Sequence, residues 1–124
     1  MGNFSRELGQ KAENIAYEYL LKEGYIIKER NWRLGSTIEV DLIIQHARTL
    51  IFVEVKARQY LDEALAAIDT KKRRKIIKAA DIYLRHQEED FEYRFDIIVI
   101  IGTPENYVIE HYPNAFIPLV NGRC

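Results

Sequence analysis

Cysteine is all but missing from the 124 residues: Cys124 stands alone, so no disulfide can be drawn within the chain, and a reducing cytoplasm is the expected compartment. Proline is scarce too. Pro104, Pro113 and Pro118 are the only three, and no Pro- or Gly-rich stretch separates one part of the chain from another. A single domain over residues 1–124 is therefore expected, with a tail that is irregular from about residue 113, where Pro113 and Pro118 break regular structure. Long apolar runs are lacking. The run Ile97 to Ile101 is far too short to cross a bilayer, and Met1 to Glu7 contains no apolar segment of the kind a signal peptide needs, so no membrane is expected. Nor does one sign of charge prevail. Eighteen Lys and Arg meet nineteen Asp and Glu, a formal net charge of −1, so a nucleic-acid partner would have to be recognised by local charge. What remains, 48% apolar and 30% charged residues, is the composition of a folded globular protein.

Leu8, Ala12, Ile15, Ala16 and Tyr19 recur at helical spacing and predict a first helix, with Ser5 as its N-cap and Gly24 as its stop. Glu13 lies at the edge of that stripe, near Gly9, Ala12 and Ala16, which are small enough to let the helix approach a sheet closely. By periodicity alone Glu13 reads as a solvated helix residue. Tyr25 to Arg33 follows as a strand and Leu34 to Thr37 as a turn. Further on, Leu61 to Ile68 is rich in helix formers, and Asp69-Thr70 caps a second helical run whose stripe is Ile76, Ile77, Ala80, Tyr83 and Leu84. Arg94 to Ile101 is nearly continuous in apolar residues, the pattern of a central strand covered on both faces. Tyr107 to Tyr112 alternates as a last strand. Asp96, beside Arg94, reads as a structural pair or cap, and His111 as a surface histidine on an edge strand. The order α-β-β-β-α-β-β predicts an α/β fold, a mixed central sheet flanked by helices.

The chemistry is concentrated between Glu39 and Arg58. Glu39 to Ile44 and Thr49 to Arg58 are two strand-like runs flanking the polar break Gln45-His46-Ala47-Arg48, a β-hairpin pattern. Acids inside such strands need partners for their burial to be tolerable. Alternation puts Glu54, Lys56 and Arg58 on one face of the second strand. If the loop has an even number of residues, with His46-Ala47 at the turn, Asp41 joins Glu54 and Lys56 on that face.

Asp41, twelve intervening residues, and then Glu54-x-Lys56 on the adjacent strand form the minimal kit for metal-assisted phosphodiester hydrolysis. Two carboxylates supply hard oxygen ligands suited to Mg²⁺, with Mn²⁺ as an alternative, and the lysine can stabilise negative charge that develops on phosphate. Glu13, carried in by the first helix, could complete the metal's shell through water. Lys71, Lys72, Arg73, Arg74, Lys75 and Lys78 place six cations in eight residues at the start of a helix, a candidate phosphate-binding surface to which Arg58 could add. Such a run is also what a solvated charged face looks like. On chemistry alone two readings stay open: a metal-dependent nuclease, and a non-catalytic fold with a buried ion-pair patch.

The order and spacing of Gly9-x-x-x-Glu13-x-x-Ala16-x-x-Tyr19-Leu20, Gly24-Tyr25, Arg30-Asn31-Trp32-Arg33, Glu39-Val40-Asp41-Leu42-Ile43, Phe52-Val53-Glu54-Val55-Lys56-x-Arg58, Lys72-x-x-Lys75, Ala80, Tyr83-Leu84, Arg94-Phe95-Asp96 and Asn114-Ala115-Phe116 resemble those of the YraN-like family. These are small bacterial proteins regarded as predicted endonucleases. The family looks like a minimal member of the PD-(D/E)XK, or restriction-endonuclease-like, superfamily and is similar to archaeal Holliday-junction resolvases. The resemblance implies an αβββαβ core, Asp41, Glu54 and Lys56 as the motif acids and lysine, and Glu13 as a helix-borne acid at the metal. It further implies a DNA endonuclease acting on branched or structured DNA in repair or recombination, DNA more than RNA; one site per chain suggests a homodimer if both strands are to be cut. This chain departs from the family pattern at Ile38, where Gly is usual, and at His46-Ala47, where the turn usually carries Asp-Gly. The rival expectations are a nucleic-acid-binding module that keeps the nuclease fold without the reaction, and an interaction protein whose basic helix meets an acidic partner.

Overall fold

A computed structural model describes residues 4–116, with side chains from residue 7 onward. The chain folds as α1 (Phe4–Lys22), β1 (Ile26–Leu34), β2 (Ile38–His46), β3 (Thr49–Arg58), α2 (Leu61–Ala66), α3 (Thr70–Arg85), β4 (Glu92–Thr103) and β5 (Asn106–Phe116). The five strands form one sheet in the order β1-β2-β3-β4-β5, with β3 and β4 parallel and every other pair antiparallel. This is the expected mixed sheet flanked by helices, consistent with a restriction-endonuclease-like αβββαβ core. Among the described residues no helix is long and apolar enough to cross a membrane.

Each face of the sheet has its own core. Leu8, Ala12, Ala16 and Leu20 repeat every fourth residue of α1 and bury against Leu42, Ile44, Ile51, Val53, Ile98 and Ile100. The helix stops where Gly24 takes φ +94, and Tyr25 N–H closes back on Leu20 O at 3.1 Å. Its start differs from expectation: α1 is helical from Phe4, so Ser5 lies inside the first turn and not ahead of it. Gly9 is exposed, and a Cβ there would meet nothing within 4 Å, so the close approach to the sheet is made by Ala12 and Ala16 alone. On the opposite face Phe52, Phe95, Ile97 and Val99 meet Ala64, Ile68, Ile76, Ala80 and Tyr83 of the α2–α3 crossover. β4 contributes to both cores, which explains its unbroken apolar run.

Two expectations about strands are corrected. The hairpin turns at Ala47-Arg48, because His46 pairs with Thr49; Ala47 adopts φ +53, stabilised by Gln45 Nε2 donating to its carbonyl at 2.9 Å. The loop still has two residues, so the even parity holds. The second correction concerns the tail. β5 runs through Pro113 to Phe116, so residues 113–116 are strand, and the rest of the expected irregular tail, residues 117–124, lies outside the described residues. Phe95 pairs with Phe116 and Ile97 with Tyr112, so two extra residues of β5 bulge at this register shift, with Asn114 at φ +54. Proline is tolerated there because β5 is an edge strand and the bulge asks no ladder hydrogen bond of it. Pro118 and Cys124 lie outside the described residues.

Candidate functional site

The β2–β3 pairing ends at Leu42↔Val53, one step before Asp41 and Glu54. Beyond it, Asp41 Oδ2 accepts a hydrogen bond from Val55 N–H at 2.8 Å, so a side chain holds the two strands where the backbone ladder stops. Asp41 is partly buried, and Glu54 is only 1% exposed. Among the described residues no backbone N–H reaches the Glu54 carboxylate. Its close neighbours are the Asp41 carboxyl and Lys72 of α3, whose Nζ stands 2.9 Å from Oε2. Parity and strand parting thus bring Asp41, Glu54 and Lys72 together at one end of the sheet.

The electrostatics follow from that crowding. Burial, and then the negative charge of Glu54, push the Asp41 carboxyl up to about 7, with the Val55 N–H and Lys72 pulling the other way. For Lys72, burial alone would lower the ammonium, but Glu54, Asp41 and Glu39 outweigh it and raise it. Between about pH 4 and about pH 7 the folded protein holds a proton on Asp41 that the unfolded chain has already released, so stability falls as pH rises through that window. Asp41→Asn removes that penalty. It is expected to be more stable than wild type at pH 8 by about 1–3 kcal/mol, a difference that vanishes below about pH 4 in urea titrations across pH.

Lys56 shares the face of Glu54: Glu54 pairs with Ile97 and Lys56 with Val99, and both partners point into the same core. Among the described residues Lys56 makes no hydrogen bond or ion pair. Arg58 donates to its neighbour's carbonyl, Ala57 O, at 2.7 Å. The six cations of α3 divide. Asp69 caps the helix by accepting from Lys72 N–H at 2.9 Å, which sets the helix start so that Lys72 precedes buried Ile76 by one turn and faces inward. Arg73 also turns in, donating from Nε to Ile68 O at 3.2 Å and lying over the Phe116 ring. Lys71, Arg74 and Lys78 are exposed and Lys75 is partly exposed, leaving a basic outer face on the same helix.

Glu13 is engaged elsewhere. Its Oε1 accepts from Asn31 Nδ2 at 2.6 Å and from Arg30 at 3.4 Å, pinning α1 to β1. Asn31 reaches it from a left-handed backbone, φ +51, inside the strand. Among the described residues no group of three or more His, Cys, Asp or Glu side chains is gathered closely enough to hold a metal ion, so the site offers two carboxylates and not three.

A second polar cluster, on the face that α1 covers, went unrecognised in the sequence. Asp96 is fully buried and accepts from Arg94 Nε at 3.0 Å, from His111 Nε2 at 2.7 Å and from Asn114 N–H at 2.9 Å. Burial alone would raise its carboxyl, but these donors outweigh burial and hold it below the ordinary value. In the neutral ring, Nε2 donating to the carboxylate leaves Nδ1 of His111 to accept from the Tyr19 hydroxyl, 3.2 Å away. His111 is thus no surface histidine: its side chain is 11% exposed and ties β5 to α1. Asp96 is the structural group expected, with more partners than Arg94.

Comparison with known proteins adds a family and no activity. The model of the uncharacterised protein family UPF0102 matches residues 12–100. Among the similar proteins, a UPF0102 protein of Bacteroides thetaiotaomicron is 40% identical over 114 residues, covering 90% of this chain and 93% of its own. One from Flavobacterium johnsoniae is 41% identical (89% and 94% covered), and one from Dictyoglomus turgidum is 38% identical (90% and 98% covered).

Proposed function

The chain belongs to the uncharacterised protein family UPF0102, and we propose that it is a Mg²⁺-dependent endonuclease of the PD-(D/E)XK type, with Mn²⁺ as an alternative ion, that hydrolyses phosphodiester bonds of branched or structured DNA. One observation carries the reading. Glu54 is a carboxylate 1% exposed, beside an Asp41 that burial first, and then the charge of Glu54, have pushed up to about 7. Such a pair is costly unless a cation completes it. The donor set fits Mg²⁺, which commonly takes one or two protein carboxylates and fills its octahedron with water and substrate phosphate. Asp41 and Glu54 would hold the ion, and Glu13, held by Asn31 and Arg30, would act on it only through water. When bound, the ion polarises the phosphoryl group and acidifies a water.

The remaining work falls to the chain's own residues. Lys56 lies two residues beyond Glu54, about 7 Å along the strand, with an uncommitted ammonium to set against charge developing on the phosphate. Val55 N–H fixes the orientation of Asp41. Lys71, Arg74, Lys75 and Lys78 of α3, with Arg58, present cations to the flanking backbone phosphates.

A second reading is favoured by the Lys72–Glu54 pair, which already supplies a cation to the buried acid: a nucleic-acid-binding module without the reaction. The experiment that separates them incubates the protein with junction, flap, single-stranded and duplex DNA in Mg²⁺, Mn²⁺ or chelator, beside a Lys56→Ala control. Metal-dependent product from wild type, missing from the control, is the expected result. If wild type releases nothing that the control does not also release, the nuclease reading is abandoned, and salt-sensitive binding would then support the module.

A further inference from the structure

We propose that Lys72 is a removable counter-ion of the Asp41–Glu54 site, occupying the cation position in the free protein and leaving it for a substrate phosphate when a divalent metal takes Glu54. The inference rests on the metal-dependent reading above and adds to it a residue that couples metal to substrate.

The geometry is asymmetric in a way that makes the exchange possible. Glu54 is 1% exposed and has nowhere to go, whereas the Lys72 side chain is 34% exposed and has an open side. The backbone of Lys72 is fixed, its N–H donating to the Asp69 cap at 2.9 Å, so movement is confined to the four-carbon stem and its compact ammonium. That ammonium stands 2.9 Å from Glu54 Oε2, and Glu54 is its only ion-pair partner at that distance among the described residues. Asp41 and Glu39 also attract it, so the pocket favours positive charge from more than one side.

An ammonium and a divalent ion on the same carboxylate repel each other strongly in a site with so little solvent. The outer face of α3, with Lys71, Lys75 and Lys78, is where a phosphate backbone would lie, within two turns of Lys72 along the helix. A phosphate there draws Lys72 outward and vacates Glu54, so metal and nucleic acid each strengthen the binding of the other, by the same factor. In free protein the same lysine keeps the site closed to metal, which restrains cleavage until substrate is present. A rival role, in which Lys72 stays on Oε2 and merely orients Glu54 so that Oε1 meets the metal, predicts the opposite sign.

The test is calorimetric titration of the DNA-free protein with Mn²⁺, comparing wild type with Lys72→Met. Lys72→Met is expected to bind Mn²⁺ about tenfold more tightly than wild type. Equal or weaker binding by the variant overturns the counter-ion role while leaving a metal site standing. Failure of both proteins to bind Mn²⁺ overturns the metal-dependent reading and this inference with it. Should Lys72→Met not fold, the ammonium resonance of Lys72 in wild type decides. It should be lost or shifted to its solvated position on adding Mg²⁺, and an unchanged signal at saturating Mg²⁺ overturns the exchange.

Discussion

Lys56→Ala is expected to lower metal-dependent DNA cleavage by about 10²–10³-fold while leaving the fold and Mn²⁺ binding as they are. The separation of effects is what gives the prediction its force. Lys56 makes no hydrogen bond or ion pair among the described residues, so removing it leaves no buried partner stranded. Its strand neighbours keep their pairing with β4, since backbone hydrogen bonds and not the side chain hold the register from Thr49 to Arg58. A lysine that stabilises the fold through contacts would be missed in a melt; one that acts on substrate would be missed only in turnover. Kinetics of cleavage under single-turnover conditions, set beside thermal unfolding and Mn²⁺ titration of the same protein, read the three quantities separately. A loss of cleavage accompanied by equal loss of stability would assign Lys56 a structural part and sink the catalytic one.

Asp96→Ala is expected to cost about 3–5 kcal/mol of stability, the largest structural effect of any single polar change at either polar cluster. Asp96 is 0% exposed, and its carboxylate answers Arg94, His111 and the Asn114 N–H at once. Without it a guanidinium and an imidazole are left without their acceptor, and the bulge that carries β5 past Pro113 loses the bond that closes it. The pH dependence has a definite sign. The folded-state carboxyl is held below its unfolded value, so the contribution is present above about pH 4 and is lost as pH falls through the folded value. Urea unfolding of wild type and Asp96→Ala at pH 7 and again in acid measures both the gap and its narrowing. Asn at 96 would recover only part of it, since an amide oxygen cannot neutralise Arg94.

The two clusters show how differently acids can be used on opposite faces of one sheet. Asp96 is fully satisfied and holds structure. Glu54 is buried against a second acid, and burial with that crowding pushes Asp41 toward neutral pH, a strain that proteins keep where a ligand will relieve it. The stabilisation expected of Asp41→Asn at pH 8 and the tighter metal binding expected of Lys72→Met are two readouts of that same tension.

Much of this was legible in residue order, and the physical reason is periodicity. Alternation assigned Glu54 and Lys56 to one face, a two-residue loop placed Asp41 with them, and the apolar run Ile97 to Ile101 marked a strand buried on both sides. The inward turn of Lys72 was legible in principle as well. It stands one helical turn before Ile76, at the head of the buried stripe, and a cation in that position needs a buried partner. In the sequence it was hidden among five other cations that look the same.

Left to itself, then, the order of residues determined the fold class, the strand that carries Glu54 and Lys56, and the faces on which side chains lie, because each depends on spacing within one element. Tertiary structure alone decided which charges meet. It joined Lys72 to Glu54 across eighteen residues and His111 and Asn114 to Asp96 across a bulge, drew Glu13 to Asn31 and Arg30, and let an edge strand continue through Pro113. Such contacts depend on how elements pack and where ladders end, and no local pattern of residues records either.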